Sequence, residues 1–311
     1  MATLSIIIPT YNRFTLVKAT LDSIKAQSYS IFECLIVDDN SSDGTWELLT
    51  DFCKSDHRFK ALRKPSHLPK GPSSSRNLGL SLASGKWVHF FDSDDLLLPD
   101  FYANCVEILD GRDSDFLAVR IRWFSDEDHV GLLSPELSEP YFIEKAITRE
   151  HEIWTQNVIW RRDLLERSPK FDELLTMSED ILFAVEVISN ANRYSINNQL
   201  HVAVRRHSQS LTYQDTPERN IVRQRSVFVA YYRIFQLIHK REDTNVDATK
   251  YCLLKMYQSL SKLYEMKDFH TINIKRLFQV ACTSLKLRDW RLFLKTLVLI
   301  PIKPAIRFIR K

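Results

Sequence analysis

Five short apolar runs, at residues 4–9, 34–37, 59–62, 87–91 and 116–121, alternate with amphipathic stretches of helical length at 14–26, 45–53, 74–83 and 100–109. Few folds are open to a chain built this way. Strand-to-helix alternation places successive strands parallel in one sheet and stacks the intervening helices on both faces, an α/β architecture. Polar groups in such a sheet gather in the crevice beyond the carboxyl ends of the strands. Pro9-Thr10-Tyr11-Asn12, Asp38-Asp39-Asn40-Ser41 and Asp92-Ser93-Asp94-Asp95 all fall at those ends. Asp43, followed by Gly44 and Thr45, is the expected N-cap of the second helix.

The pattern changes twice further along. Residues 150–206 read as mixed strands with one helix at 179–189, entered through Ser178, and a last apolar run at 200–204. Beyond residue 215 only helices are expected, at 218–240, 247–266, 272–286 and 290–300. Charge divides the chain at the same place. Residues 215–311 hold 20 Lys and Arg against 8 Asp and Glu, a net of +12, and residues 1–214 carry −8. The expected organisation is therefore an α/β domain over 1–214, with halves at 1–125 and 126–214, and a helical, basic extension over 215–311. Two regions of opposite charge suggest different partners.

Composition narrows the chemistry. Six glycines in 311 residues argue against Gly-rich phosphate loops, and no GxGxxG, Walker, GxSxG or HExxH pattern is present. The five cysteines are scattered without CxxC spacing, which points to a reducing compartment and no zinc site. Met1-Ala2-Thr3-Leu4-Ser5 has no basic n-region and runs into the first strand, so no signal peptide is expected. No RNA- or DNA-binding signature accompanies the basic third, and nucleic acid is not an expected partner.

The acidic run after the fourth strand has two readings. Alternate residues of an extended segment face one side, so Asp92 and Asp94 can share a hard divalent cation, and Asp95 extends the cluster. The plainer reading is a solvated acidic turn before Pro99.

Four ordered motifs tip the balance. Ser5-Ile6-Ile7-Ile8-Pro9-Thr10-Tyr11-Asn12-Arg13, Leu35-Ile36-Val37-Asp38-Asp39-Asn40-Ser41-Ser42-Asp43, Pro72-Ser73-Ser74-Ser75-Arg76-Asn77-Leu78-Gly79 and Phe91-Asp92-Ser93-Asp94-Asp95 resemble the successive motifs of family-2 glycosyltransferases. The resemblance covers about residues 1–125 and continues more weakly to about 212. It implies a GT-A fold, a metal-bound nucleoside diphosphate sugar, expected to be UDP-linked, and inversion at the anomeric carbon. Donor-binding residues carried over are Pro9, Thr10, Tyr11, Arg13, Asp39, Arg76, Asp92, Ser93, Asp94 and His207, with Asp94 and His207 as ligands of Mn²⁺ or Mg²⁺.

The residue types suit those roles. Tyr11 offers a ring face to a base, and Asp39 an acceptor for a pyrimidine imide N–H. Both also read as ordinary turn residues. Arg76 can reach the base, the diphosphate or the Asp92 cluster. Met177-Ser178-Glu179-Asp180-Ile181-Leu182-Phe183 resembles the family's ED motif, which makes Asp180 the general base; otherwise it is an acidic helix start stabilised by the dipole. Trp154, Gln156, Asn157 and Glu179 fall on the acceptor side, with Trp160 nearby in sequence and equally suited to the core. In Arg205-Arg206-His207-Ser208-Gln209-Ser210, Arg205, Arg206 or Ser210 can bind phosphate oxygens.

The resulting expectation is a hexosyl- or N-acetylhexosaminyltransferase acting on a cell-surface glycan or lipid-linked oligosaccharide. The competing expectation is a non-catalytic nucleotide-sugar-binding partner in a glycan-assembly complex. The tail also has two readings. Trp290, Phe293, Leu294, Leu297 and Val298 form an apolar stripe beside Arg288, Arg291 and Lys295, too short to span a bilayer and broken by Pro301 and Pro304. Residues 288–311 either hold the cytoplasmic enzyme on the anionic inner face of the cell membrane, or the C-terminal helices pack together and form a homodimer contact.

Overall fold

Every apolar run read as a strand in the first 125 residues is a strand in the computed structural model, which describes residues 3–125, 131–138, 142–207, 216–239 and 246–266, together with Thr283. The strands β1 (Leu4–Thr10), β2 (Phe32–Asp38), β3 (Phe59–Arg63), β4 (Trp87–Phe90) and β5 (Phe116–Phe124) run one to three residues beyond most of the predicted limits, except β4, which ends one earlier. Between them lie α1 (Val17–Lys25), α2 (Thr45–Ser55), α3 (Pro72–Leu82) and α4 (Phe101–Arg112). The first helix starts three residues later than expected, because Arg13 and Phe14 donate their N–H groups to Thr45 and Asp43 across the neighbouring loop. Asp43 is not the N-cap of α2. Gly44 holds that position in a left-handed conformation, φ 91°, and the Asp43 carboxylate accepts from Thr45 N one residue beyond it.

Three short elements were not anticipated: α5 (Phe142–Thr148), β6 (Val158–Arg161) and α6 (Arg162–Glu166). They are followed by α7 (Glu179–Ile188) and β7 (Tyr194–Arg205). The seven strands form one sheet in the order β3-β2-β1-β4-β6-β5-β7. Pairing is parallel except at β6, which runs antiparallel to both β4 and β5. The order reverses between β1 and β4, so the ligand crevice of a doubly wound sheet opens past the ends of these two strands.

Alternation along the strands builds two cores. Leu4, Ile6 and Ile8 of β1 pack on one face with Val17, Leu21, Leu49, Phe101 and Tyr102 from α1, α2 and α4. Ile7 turns to the other face, where Val88, Phe90, Trp160 and Phe183 gather. Strands covered on both sides are apolar throughout, which explains their continuous hydrophobic runs. Gly79 lets α3 lie close on β1: a Cβ there would sit 2.4 Å from Ile7 Cγ2.

The chain divides into two compact units, Met1–Leu174 with Phe183–Gln214, and Leu175–Leu182 with Asp215–Lys311. In the second, α8 (Pro217–His239) packs on α9 (Val246–Glu265), burying Phe228, Tyr231, Ile234 and Phe235 on one helix and Cys252, Leu253 and Met256 on the other. The helices expected at 272–286 and 290–300 lie outside the described residues, as does Ser210. No described helix is long and apolar enough to cross a membrane.

Candidate active site

The loops after β1 and β2 are laced together by side chains. Asn12, in the left-handed region at φ 48°, accepts from Ser42 N at 2.9 Å while its own N–H donates to Ser41 Oγ at 2.9 Å. Asn40 is likewise left-handed, φ 60°, and donates to Lys64 O. Asn tolerates this conformation better than most residues, so its use at both strand ends is a local sequence choice. The lacing leaves the Tyr11 ring 48% exposed on the crevice rim, while Thr10 is buried behind it. Asp38, fully buried, accepts from Ser41 N and supports the loop. Asp39 is also buried, with Oδ1 on Lys64 Nζ at 2.7 Å and Oδ2 accepting from Gly71 N at 2.7 Å.

Residues 92–95 do not continue β4 as an extended segment. They turn, with Asp95 N directed at Asp92 O (3.5 Å), and the turn sends each carboxylate to a different partner. Asp92 accepts from Arg76 Nη2 at 2.8 Å, one of the three partners open to that arginine. Asp94 Oδ2 is 3.0 Å from His207 Nε2 and 3.4 Å from Arg13 Nε. Burial works to raise the Asp94 carboxyl, but the His207 hydrogen bond and the Arg13 charge outweigh it and hold the group below its ordinary range. Asp95 is buried and accepts from Arg205 N at 2.9 Å; its burial beside Asp94 and Asp92 pushes its carboxyl well up.

The arm formed by the end of β7 is zipped to this turn. Leu96 and Ala203 exchange backbone hydrogen bonds of 2.9 and 3.0 Å, and Arg205 Nε donates to Asp94 O. Arg205 and His207 therefore face the carboxylates, while the intervening Arg206 lies over the Trp123 ring at 4.6 Å.

Buried polar atoms without partners collect at the same strand ends. Thr10 Oγ1, Asp38 Oδ1, Asp39 Oδ1, Ser73 Oγ, Ser74 Oγ, Arg76 Nε and Nη1, and His207 Nδ1 are enclosed with their hydrogen bonding unmet. Such groups are costly in a closed interior, and their concentration in one crevice marks the place of a polar ligand. Ser73 and Ser74 were not singled out in sequence. The only signal was the serine run itself, which read as the start of a helix.

The acceptor-side residues separate by burial. Asn157 is 1% exposed and spends its amide on Val119 O, Glu152 O and Trp154 N, so it shapes the turn at 155–157. Gln156 is buried, and its backbone carbonyl accepts from His89. Trp160 sits in the core on β6. Trp154 is half-buried, edge-on to Trp123 with ring centroids 5.9 Å apart, and Arg149 covers its other side. Glu179 and Asp180 occupy the first turn of α7, both half-exposed. Asp180 Oδ1 accepts from Ile181 N at 2.7 Å, and Ser178 before them is left-handed at φ 62°.

Among the described residues no group of three His, Cys, Asp or Glu is arranged to hold a metal. A cation bound together with a diphosphate needs fewer: one or two protein donors, completed by phosphate oxygens and water. The Asp94 carboxylate and the adjacent imidazole of His207, whose Nδ1 is unpartnered, fit that donor set.

A mixed, mostly parallel sheet with its crevice at the β1/β4 reversal and carboxylates turning out of β4 defines the GT-A class of glycosyltransferases. The chain belongs to glycosyl transferase family 2, which residues 5–167 match. It is 27% identical over 256 residues to the uncharacterized glycosyltransferase EpsJ of Bacillus subtilis, covering 78% of this chain and 73% of that one. A stretch of 104 residues is 42% identical to an uncharacterized glycosyltransferase of Rickettsia felis, covering 33% of this chain but only 16% of that longer protein. Among solved structures, residues 1–349 of Staphylococcus aureus TarS with UDP-GlcNAc superpose with a TM-score of 0.62 at 20% identity, covering 97% of this chain and 82% of that one. The mannosyltransferase PcManGT of Pyrobaculum calidifontis, with GDP-Man and Mn²⁺, gives 0.58 at 17% identity over 97% and 86%. At these identities the likeness is one of fold.

Proposed function

We propose that this glycosyltransferase moves a hexose or N-acetylhexosamine from a UDP-linked donor to a hydroxyl of a cell-surface glycan or lipid-linked oligosaccharide, inverting the anomeric carbon. The observation that carries the reading is the set of unmet buried polar groups around Asp92 and Asp94 at the strand ends. Tyr11 stacks on the base and Asp39 accepts its imide N–H. Arg76, 5% exposed and held by Asp92, turns two unmet N–H groups to donor oxygens. Asp94 and His207 hold Mn²⁺ or Mg²⁺, which when bound offsets charge on the departing diphosphate. The Mn²⁺ of the mannosyltransferase and the UDP-GlcNAc of TarS support a metal-and-nucleotide site on this fold. Asp180 takes the proton of the attacking hydroxyl, and attack on the face opposite the diphosphate gives inversion. Trp154 and Glu179 flank the acceptor. In this reading residues 1–214 carry transfer, and 215–311 form the helical extension that meets a membrane or a second copy.

A panel of nucleotide sugars with Mn²⁺, read by donor hydrolysis and transfer, tests the proposal. UDP-sugars are expected to turn over. Asp180→Asn should retain donor binding and lose transfer by roughly two to four orders of magnitude, the usual worth of a positioned base. Transfer near the wild-type level in that variant would remove Asp180 from its role, and binding without turnover of any donor would leave a nucleotide-sugar-binding module.

A further inference from the structure

We infer that Lys64 sets the nucleobase preference of the donor site, by holding Asp39 and the loop before α3 in one arrangement. Lys64 directly follows β3, and its side chain is 1% exposed. A lysine is almost never enclosed to that degree unless its charge is matched. Here the charge is matched by an ion pair and by two backbone carbonyls. Nζ lies 2.7 Å from Asp39 Oδ1, donates to Pro69 O at 2.7 Å and reaches Gly71 O at 3.4 Å. The backbone of Lys64 is tied as closely: its N–H donates to Asp38 O at 2.9 Å, and its carbonyl accepts from Asn40 Nδ2 at 3.0 Å. One residue is thus joined to three consecutive residues at the end of β2, Asp38 to Asn40, and to both ends of the 69–71 segment.

The loop answers from its own side. Gly71 adopts φ 120°, open to glycine and strained for other residues, and in that conformation its N–H reaches Asp39 Oδ2 at 2.7 Å. Oδ2 of Asp39 is therefore hydrogen-bonded to the loop, while Oδ1 is held by the Lys64 ion pair and has no hydrogen-bond partner of its own. A carboxylate offers about four acceptor directions, so capacity remains for one ligand N–H. Lys64, enclosed at 1% exposure, does not itself touch the base. It is a positioning residue acting through Asp39.

The chemistry gives that position a selective consequence. A uracil ring presents an imide N–H, which a fixed carboxylate accepts. Cytosine presents a lone pair at the same ring atom, which the carboxylate repels. Without Lys64 the Asp39 charge loses its cation and the 69–71 segment loses two of its anchors, so the acceptor no longer stands where the imide arrives. The diphosphate contacts proposed for Arg76 and, through the metal, for Asp94 do not depend on this hub.

The inference rests on Asp39 as the base acceptor, and the experiment separates the two. Dissociation constants for UDP and CDP are measured with Mn²⁺ on the full chain, for wild type, Lys64→Met, Asp39→Asn and the double variant. Wild type should favour UDP by about tenfold or more, the scale of one hydrogen bond to a charged group. Lys64→Met should bring the ratio toward one, chiefly by weakening UDP, and the double variant should lose no more than either single change. If Lys64→Met does not fold, Lys64→Gln, which keeps a donor for Asp39 without the charge, supplies the ratio, and it should fall there as well. A preference that survives in the folded Lys64 variant, or equal weakening of both nucleotides, overturns the role of Lys64 alone. A wild type that binds UDP and CDP alike overturns the reading of Asp39, and the inference with it.

Discussion

His89 shows how far a single side chain can be determined by its neighbours. Its Nε2 lies 2.8 Å from the backbone carbonyl of Gln156, which can only accept, so Nε2 carries the proton. Nδ1 is then the lone pair that accepts from Tyr102 O–H at 2.9 Å. Complete burial lowers the imidazole to about 4, opposed only by the Gln156 carbonyl. The sign follows directly: the unfolded chain, titrating near 6.5, binds the proton more readily than the folded one. Stability should therefore fall as pH drops from about 6.5 to 4, and this group alone accounts for about 3 kcal/mol of that loss. Urea midpoints across that range should show a shallower pH dependence in His89→Gln than in wild type; equal slopes would remove His89 from the account. The residues that were legible in sequence, such as Tyr11, Asp39 and Asp94, sit where strand ends place them whatever else folds. Lys64, Ser73 and Ser74 were not, because their meaning depends on Asp39 and on hydrogen bonds that only the closed crevice leaves unmet.

At the level of elements, the arm at the end of β7 matters most. Asp95 and Leu96 fasten it, and it carries His207 to Asp94. Removing the acceptor for Arg205 N should loosen His207 without touching Tyr11 or Asp39. Asp95→Ala is expected to weaken Mn²⁺-dependent UDP binding about tenfold, consistent with one lost buried hydrogen bond, and to leave metal-free binding unchanged. Asp95→Asn keeps the acceptor, and because the native carboxyl is pushed well up, a neutral amide is a close match. It should bind metal and UDP nearly as wild type does. Equal losses in both variants, or a loss that ignores the metal, would sink the idea. Sequence reading found only residues 200–204 of this strand. Its first half, Tyr194 to Gln199, is polar and interrupted by a register shift against β5, so neither alternation nor a continuous apolar run announces it. The four residues of β6 were missed for a related reason: buried from both sides, they are too short to stand out from the turn before them. The parallel strands β1, β2 and β4 carried the opposite signal, being mostly apolar and followed by polar residues.

Across the whole chain, charge is the least symmetrical property. The first 214 residues carry −8 and the remainder +12, with Lys303, Arg307, Arg310 and Lys311 at the end. Nearby Lys and Arg contribute about 1 kcal/mol each on an anionic bilayer. Full-length protein should therefore co-sediment with anionic vesicles, lose that binding in high salt, and show little on neutral ones. A chain ending at Leu287 should bind neither. Equal and negligible binding by both lengths would end the membrane reading, and loss of a dimer on truncation would favour self-association.

The reversed direction of β6 has a consequence for how such proteins diversify. Because this one strand enters the sheet from the opposite end, the turn that precedes it arrives beside the carboxyl end of β4, where His89 meets Gln156. In the proposed function the donor contacts other than His207 lie before residue 96, and the acceptor contacts lie after residue 149. Exchange of the later segment between relatives would graft a new recipient onto an unchanged donor half, provided the graft returned a carbonyl to His89.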